Sequence, residues 1–218
     1  MALLDLPGLL ALQVKPTINQ IDLPLLQQFY ETQLSPNTYI YNLSSGEQIR
    51  LKFEPHRFCH LLGIESIVQK ALHWSKHKEY KGRLGWDNIK NGSLNFKHLK
   101  DKAGKAEFNS KKDKMLYFYL LPNLLNSATI MIKFNPVPGS SVQCELLLYN
   151  QLEGVYLHLG IEKEDDGKSY FPRTFLIERI TASNPGTRFI DGQPDTKTVV
   201  SFEVLETDGD AQKSLSIP

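Results

Sequence analysis

The sequence has little cysteine, methionine or tryptophan: two, three and two respectively in 218 residues. Two cysteines, Cys59 and Cys144, can form at most one bridge. A disulfide framework is therefore excluded, and a reducing cytoplasm is the default compartment. No apolar run approaches the roughly 18 residues that a membrane-spanning helix needs. The N-terminal Met-Ala-Leu-Leu-Asp-Leu-Pro has no basic region ahead of its apolar residues, and Asp5 and Pro7 interrupt them, so it reads as a poor secretory signal. The glycines are isolated, which argues against a phosphate-cradling loop or a dinucleotide fingerprint. Nor does one sign of charge dominate, since 25 Lys and Arg stand against 24 Asp and Glu. With 41% apolar and 22% charged residues the chain is neither disordered nor collagen-like, and its length suffices to bury one large core or two small ones.

The balanced total conceals an uneven distribution. Between Lys52 and Lys114 fifteen Lys/Arg face seven Asp/Glu, about +8, while the rest of the chain carries about −7. A basic middle segment in an otherwise acidic chain suits an anionic partner. It also holds Trp74, Tyr80, Trp86, Phe96 and His98, the aromatic interleaving that stacks on unpaired bases. A lysine-rich solvated surface would have the same composition.

The first twenty residues read as a loosely attached arm. Asp22-Leu-Pro-Leu-Leu-Gln-Gln-Phe-Tyr-Glu-Thr predicts a short helix with Asp22 as N-cap and Pro24 in its first turn, where a missing N–H costs nothing. Thr38–Leu43 and Gln48–Phe53 alternate across Ser44-Ser-Gly-Glu and predict a hairpin. Pro55 can open a helix that runs through Leu62 and stops at Gly63. Further helices are expected around Ile67–Lys76 and Leu94–Lys102, and within Lys111–Asn126, where Pro122 ends or kinks the pattern and a strand is the alternative reading. From Thr129 onward the texture is β, with strands expected at Thr129–Phe134, Val142–Tyr149, Gly154–Ile161, Arg173–Ile180 and Val199–Leu205. Early helices and a late antiparallel sheet predict an α+β fold in which N-terminal helices pack against the sheet.

Two segments carry a mixture of residues suited to chemistry. In Glu54-Pro-His-Arg-Phe-Cys-His-Leu-Leu-Gly-Ile, His56 and His60 are four apart and share a helical face, while Phe58, Leu61 and Leu62 dock the other. An imidazole titrating near neutrality is a natural general acid or base, although one packed on a sheet and bonded to a carbonyl gives the same pattern. A zinc site of His56, Cys59 and His60 lacks a second ligand pair at usable spacing. In the second segment, period two places Tyr156, His158 and Glu162 opposite the apolar Val155, Leu157, Leu159 and Ile161. A turn at Asp165-Asp-Gly would bring Lys163, Tyr170, Arg173 and Thr174 to one end of the sheet beside His158. A histidine, cations and a hydroxyl there suit phosphodiester cleavage: a base deprotonates a ribose 2′-OH, an acid protonates the leaving 5′-oxygen, and cations stabilise the phosphorane. A plain polar face of a half-exposed sheet would look alike.

The run Phe53–Ile64 with its His-Leu-Leu-Gly-Ile, and the later His-Leu-Gly-Ile…Lys…Tyr-Phe-Pro-Arg-Thr-Phe followed by Gly192-Gln193, resemble phage and mobile-element nucleases of the Barnase–EndoU–colicin–RelE-like fold, in their fourth phage subfamily. The resemblance covers roughly Gln48 to Gln193. It implies a metal-independent endoribonuclease without cofactor, acting as a toxin or effector in conflict between phage or mobile element and host. It places a catalytic histidine on His60, a cation on Lys163 and a hydroxyl on Thr174, with His158 as a second catalytic candidate. Tyr170, Arg173, Arg179, His56 and Lys133 are the expected substrate contacts. The implied partners are single-stranded or loop RNA, with tRNA among the candidates, and an antitoxin or regulatory protein; no membrane is implied. On this reading residues 1–47 form an arm, a helix and the start of the hairpin, 48–205 the nuclease domain, and 206–218 a flexible tail. A non-catalytic RNA- or protein-binding module on the same fold is the alternative, and a nucleotide-directed transferase using the Tyr, His and Arg cluster is a weaker third.

Overall fold

Caps and glycine stops written in the sequence delimit the helices. A computed structural model describes residues 2–206 and 212–215, the latter by backbone alone. Asp5 accepts from Gly8 N at the start of α1 (Leu6–Leu10). Asp22 caps α2 (Leu23–Phe29) at Leu25 N, 2.8 Å away, with Pro24 in the first turn as its spacing predicts. The segment after Pro55 starts as a 3₁₀ turn (Pro55–Arg57), continues as α3 (Phe58–Leu61) and stops at Gly63, whose φ of 71° is left-handed. The helix expected at Ile67–Lys76 is two pieces instead, α4 (Ile64–Val68) and a 3₁₀ helix (Trp74–Tyr80). Beyond α5 (Gly82–Lys90), Asn95 caps α6 (Phe96–Leu116), which runs further than expected and is interrupted at Gly104.

These helices belong to a unit made of residues 1–33 and 54–119. Its centre is an aromatic cluster in which Phe58 meets Tyr30, Trp86 and Phe118 at centroid distances of 5.2, 5.4 and 5.9 Å. Two buried polar groups are satisfied there, Gln27 Nε2 donating to the Trp86 carbonyl and Tyr30 Oη to that of Glu54, each at 2.8 Å. The opening residues do not hang loosely: Leu9 and Ile21 are buried, and Leu4 N donates to the Gln20 carbonyl.

Residues 34–53 and 120–218 form the second unit. Its strands are β1 (Asn37–Leu43), β2 (Gln48–Lys52), β3 (Ile130–Lys133), β4 (Leu146–Leu152), β5 (Val155–Lys163), β6 (Tyr170–Arg179), β7 (Asp195–Glu206) and β8 (Gln212–Leu215). The tail expected at 206–218 lies largely outside the described residues. The order β1-β2-β6-β5-β4-β3-β7 closes through β7, which pairs with β3 along its first half and with β1 along its second. A wholly antiparallel sheet therefore needs correction, because β2 meets β6 in parallel at Leu51 and Tyr170 and the sheet shuts on itself. Hairpins are local and show in sequence, whereas this closure joins segments over a hundred residues apart. It also gives β1 a second partner in β7, whose second half pairs with β8 as well.

The closed sheet has two apolar surfaces. One runs straight across four strands as Phe175, Leu159, Leu148 and Met131, and continues with Tyr41 against Phe202 at 4.9 Å. Tyr41 Oη donates to the Leu125 carbonyl of α7 (Leu121–Ser127), so that buried phenol is satisfied. The opposite surface of the sheet carries Ile132 and Leu147, with Tyr149 and Leu176 beside them, beneath Phe189 and Ile190 of the segment between β6 and β7.

Candidate active site

The hairpin of β5 and β6 is held at its turn by one carboxylate. Asp166 accepts from Lys168 N, Ser169 N and the Ser169 hydroxyl at 2.7–2.9 Å, and those bonds hold its carboxyl down at about 2. From there Lys163 pairs with Tyr170 and Ile161 with Pro172, but Gly160 pairs with Thr174. Arg173 is thus an extra residue in β6, a β-bulge. A bulge places two successive side chains against one partner residue, so Arg173 and Thr174 stand together where strict alternation would have parted them. Arg173 Nε lies 3.3 Å from Glu162 Oε2, and both side chains are near two-fifths exposed.

Close packing fixes this corner. A Cβ built on Gly160 would come within 2.8 Å of both the Cys144 side chain and Thr174 Cγ2. Glycine is therefore required for the strands to approach here. Burial, then the Glu162 charge, pushes the Cys144 thiol up to about 12, so it is a neutral packing group and not a nucleophile. At the end of the hairpin Lys163 Nζ sits 5.4 Å from the Tyr170 ring centroid. Tyr170 Oη donates to Glu145 Oε1 at 3.0 Å, and burial followed by that carboxylate raises its pKa.

Residues 26–203 match the family described as phage-Barnase-EndoU-ColicinE5/D-RelE like nuclease 4. The chain belongs to that family. Comparison with curated proteins and with solved structures gave no match. Membership of a nuclease family suggests a nuclease and implies a nucleic-acid substrate, and it agrees with the mixture of helices and strands. Among the described residues, no helix of this nuclease is long and apolar enough to cross a membrane.

The nuclease's sequence-predicted residues fall into three places. Lys163, Tyr170, Arg173 and Thr174 lie at one end of the hairpin, the paired Lys163 and Tyr170 on the face opposite to that of Glu162 and Thr174, and Lys133 lies level with them, opposite Leu146, itself opposite Ile161. Arg179 pairs with Val155 at the far end of the same hairpin, about 27 Å along the strand from Lys163 at 3.4 Å per residue. His158 keeps the face that alternation gave it, but that face is covered: the ring is fully buried, 5.6 Å from Phe189. Among the described residues neither ring nitrogen makes a well-formed hydrogen bond. Burial holds the imidazole down at about 4, with the Leu176 backbone opposing in part.

In the helical unit, His60 is exposed on α3, and His56 Nδ1 lies 3.1 Å from Glu54 Oε2. Cys59 between them is buried, with its thiol pushed up to about 12. Sequence reasoning passed over Glu162 as a participant. Its signal was present in the alternation that set it on the polar face, but the bulge that aims Arg173 at it has no signature in residue types.

Proposed function

We propose that this nuclease is an endoribonuclease whose scissile phosphate is held at the β5–β6 bulge. The observation that carries the reading is the 3.3 Å approach of Arg173 to Glu162, with Thr174 alongside on the same bulge. Arg173 supplies positive charge that a crowded phosphorane needs, and the Thr174 hydroxyl orients a non-bridging oxygen. Glu162 takes the proton of the ribose 2′-OH as Arg173 turns from it to the phosphate. Of the two imidazoles read as catalytic, His60 alone is exposed to exchange protons with a bound strand, and His158 is assigned to packing. An active ribonuclease harms the cell that makes it, so the reading extends to a toxin or effector role with a neutralising protein partner.

Incubation of the purified protein with total RNA and a tRNA pool in EDTA tests the reading. Cleavage that leaves 2′,3′-cyclic ends and falls at least about a hundredfold in Glu162→Gln and in Arg173→Ala is the expected result. Unimpaired cleavage in both variants overturns the assignment of the site. A second reading, a binding module that does not cleave, is favoured by Arg173 already having a carboxylate partner. Intact RNA together with retained RNA affinity would select it.

A further inference from the structure

The helical unit contains a cleft of about 260 Å³ that the site above does not use. It opens between the 3₁₀ helix Trp74–Tyr80, α5 and the start of α6, lined by Glu79, Tyr80, Leu84, Asn88, Ser93, Leu94 and His98, and the Glu79 carboxylate is paired with Lys76 at 3.5 Å. Sites that enclose a drug-sized ligand run to about 300–1,000 Å³, so this one suits a single flat ring. The lining matches such a ring in chemistry as well. Leu84 and Leu94 supply apolar contact, and Leu84 stays 44% exposed despite its size. The Tyr80 hydroxyl and His98 Nε2 are hydrogen-bonded at 2.8 Å. Asn88 Nδ2 donates to the Glu79 carbonyl, while its Oδ1 and the Ser93 hydroxyl have no partner among the described residues.

Two neighbouring features indicate what occupies it. Side chains three apart eclipse on a 3₁₀ helix, so Trp74, His77 and Tyr80 form one ridge, and Trp74 at its outer end is 75% exposed. An exposed indole standing about 12 Å from the cleft's tyrosine, at 2.0 Å per residue, is a second stacking platform. The surroundings are cationic: the helical unit carries about +5. Lys78 on the same 3₁₀ helix and Lys90 at the end of α5 have no carboxylate partner among the described residues.

We propose that the cleft is a base-recognition subsite: it takes one unpaired nucleobase of the RNA strand, with a neighbouring base stacked on Trp74 and the backbone between them near Lys78. This rests on the ribonuclease reading for the identity of the strand. It adds where sequence preference arises.

Anisotropy titrations of the full chain with short fluorescein-labelled 2′-O-methyl oligoribonucleotides, one for each base, measure it without cleavage. Ser93 is exposed in a turn, so Ser93→Trp fills the cleft without disturbing the core; Leu84→Gln is the second variant, and thermal melts confirm that both fold. The wild type is expected to rank the oligomers by base. Either variant should weaken the best by about tenfold or more and flatten the ranking, while Trp74→Ala weakens all alike. Unchanged affinity in both folded cleft variants overturns the subsite, as does a wild type that binds no oligomer. Mononucleotides bound as tightly as the oligomers also overturn it, in favour of a free nucleotide. Should the subsite fail while RNA is still cleaved, the ribonuclease reading stands. Base-selective binding sensitive to Ser93→Trp, with no cleavage of any RNA, removes that reading and keeps the subsite.

Discussion

His158 is an imidazole buried beneath Phe189 with its pKa held at about 4, against an ordinary value of 6.5. Between those two values the unfolded chain binds a proton that the folded chain refuses, so stability rises with pH across the window. The contribution is complete above about 6.5 and is lost progressively down to about 4, amounting to about 3 kcal/mol at one pKa unit per 1.36 kcal/mol. His158→Leu replaces the ring with an apolar group of similar size and should remove most of that slope while leaving stability near neutrality little changed. Urea unfolding of both proteins from pH 4 to 7.5 checks it, and parallel slopes would count against the assignment. The Arg173–Glu162 pair is the opposite kind of residue-scale feature. Both partners are well exposed, so Glu162→Gln should cost less than about 1 kcal/mol of stability while abolishing most cleavage. A melting curve beside the RNA assay separates the two effects.

At the scale of elements the bulge in β6 and the glycine opposite it act together. Gly160 lets Cys144 and Thr174 close to within a Cβ's reach, and any side chain there must push one of them away. Gly160→Ala is expected to destabilise the sheet by about 1–3 kcal/mol and to lower cleavage further than its stability loss explains, because Thr174 moves. Comparing melting temperature and activity with those of Cys144→Ala, which loosens the same corner without crowding it, isolates the displacement. The same elements show what was legible in the sequence. Alternation and turn residues gave the hairpins, the Asp22 and Pro24 start of α2, and the position of Lys163, Tyr170, Arg173 and Thr174 at one end of the β5–β6 hairpin. Alternation also set His158 on the polar face, but nothing local indicated that Phe189, some thirty residues on, would cover it. The bulge was hidden because Phe-Pro-Arg-Thr-Phe alternates as well with an extra residue as without. The parallel contact of Leu51 with Tyr170 was hidden because residue type records the face of a strand, not its partner.

For the whole molecule, charge is divided as the fold is divided. The helical unit carries about +5 and the sheet unit about −4, so a net +1 conceals two units of opposite charge. A single-stranded polyanion releases about 0.7 counterion for each phosphate it lays against a cation, and affinity therefore falls with salt at a slope set by the number of contacts. If the helical unit holds the strand beyond the phosphate at Arg173, most of that slope comes from its lysines. Replacing Lys78 and Lys90 together by Gln should make the slope of log affinity against log salt shallower by about 1.4 and weaken every sequence alike, leaving base preference intact. Replacing Lys168 and Arg188 of the sheet unit should leave the slope unchanged. Anisotropy titrations between 50 and 200 mM salt, about the range over which such contacts are screened, measure it. An equal loss of slope from both pairs would mean that the strand is attracted by overall charge and not by the face bearing the cleft.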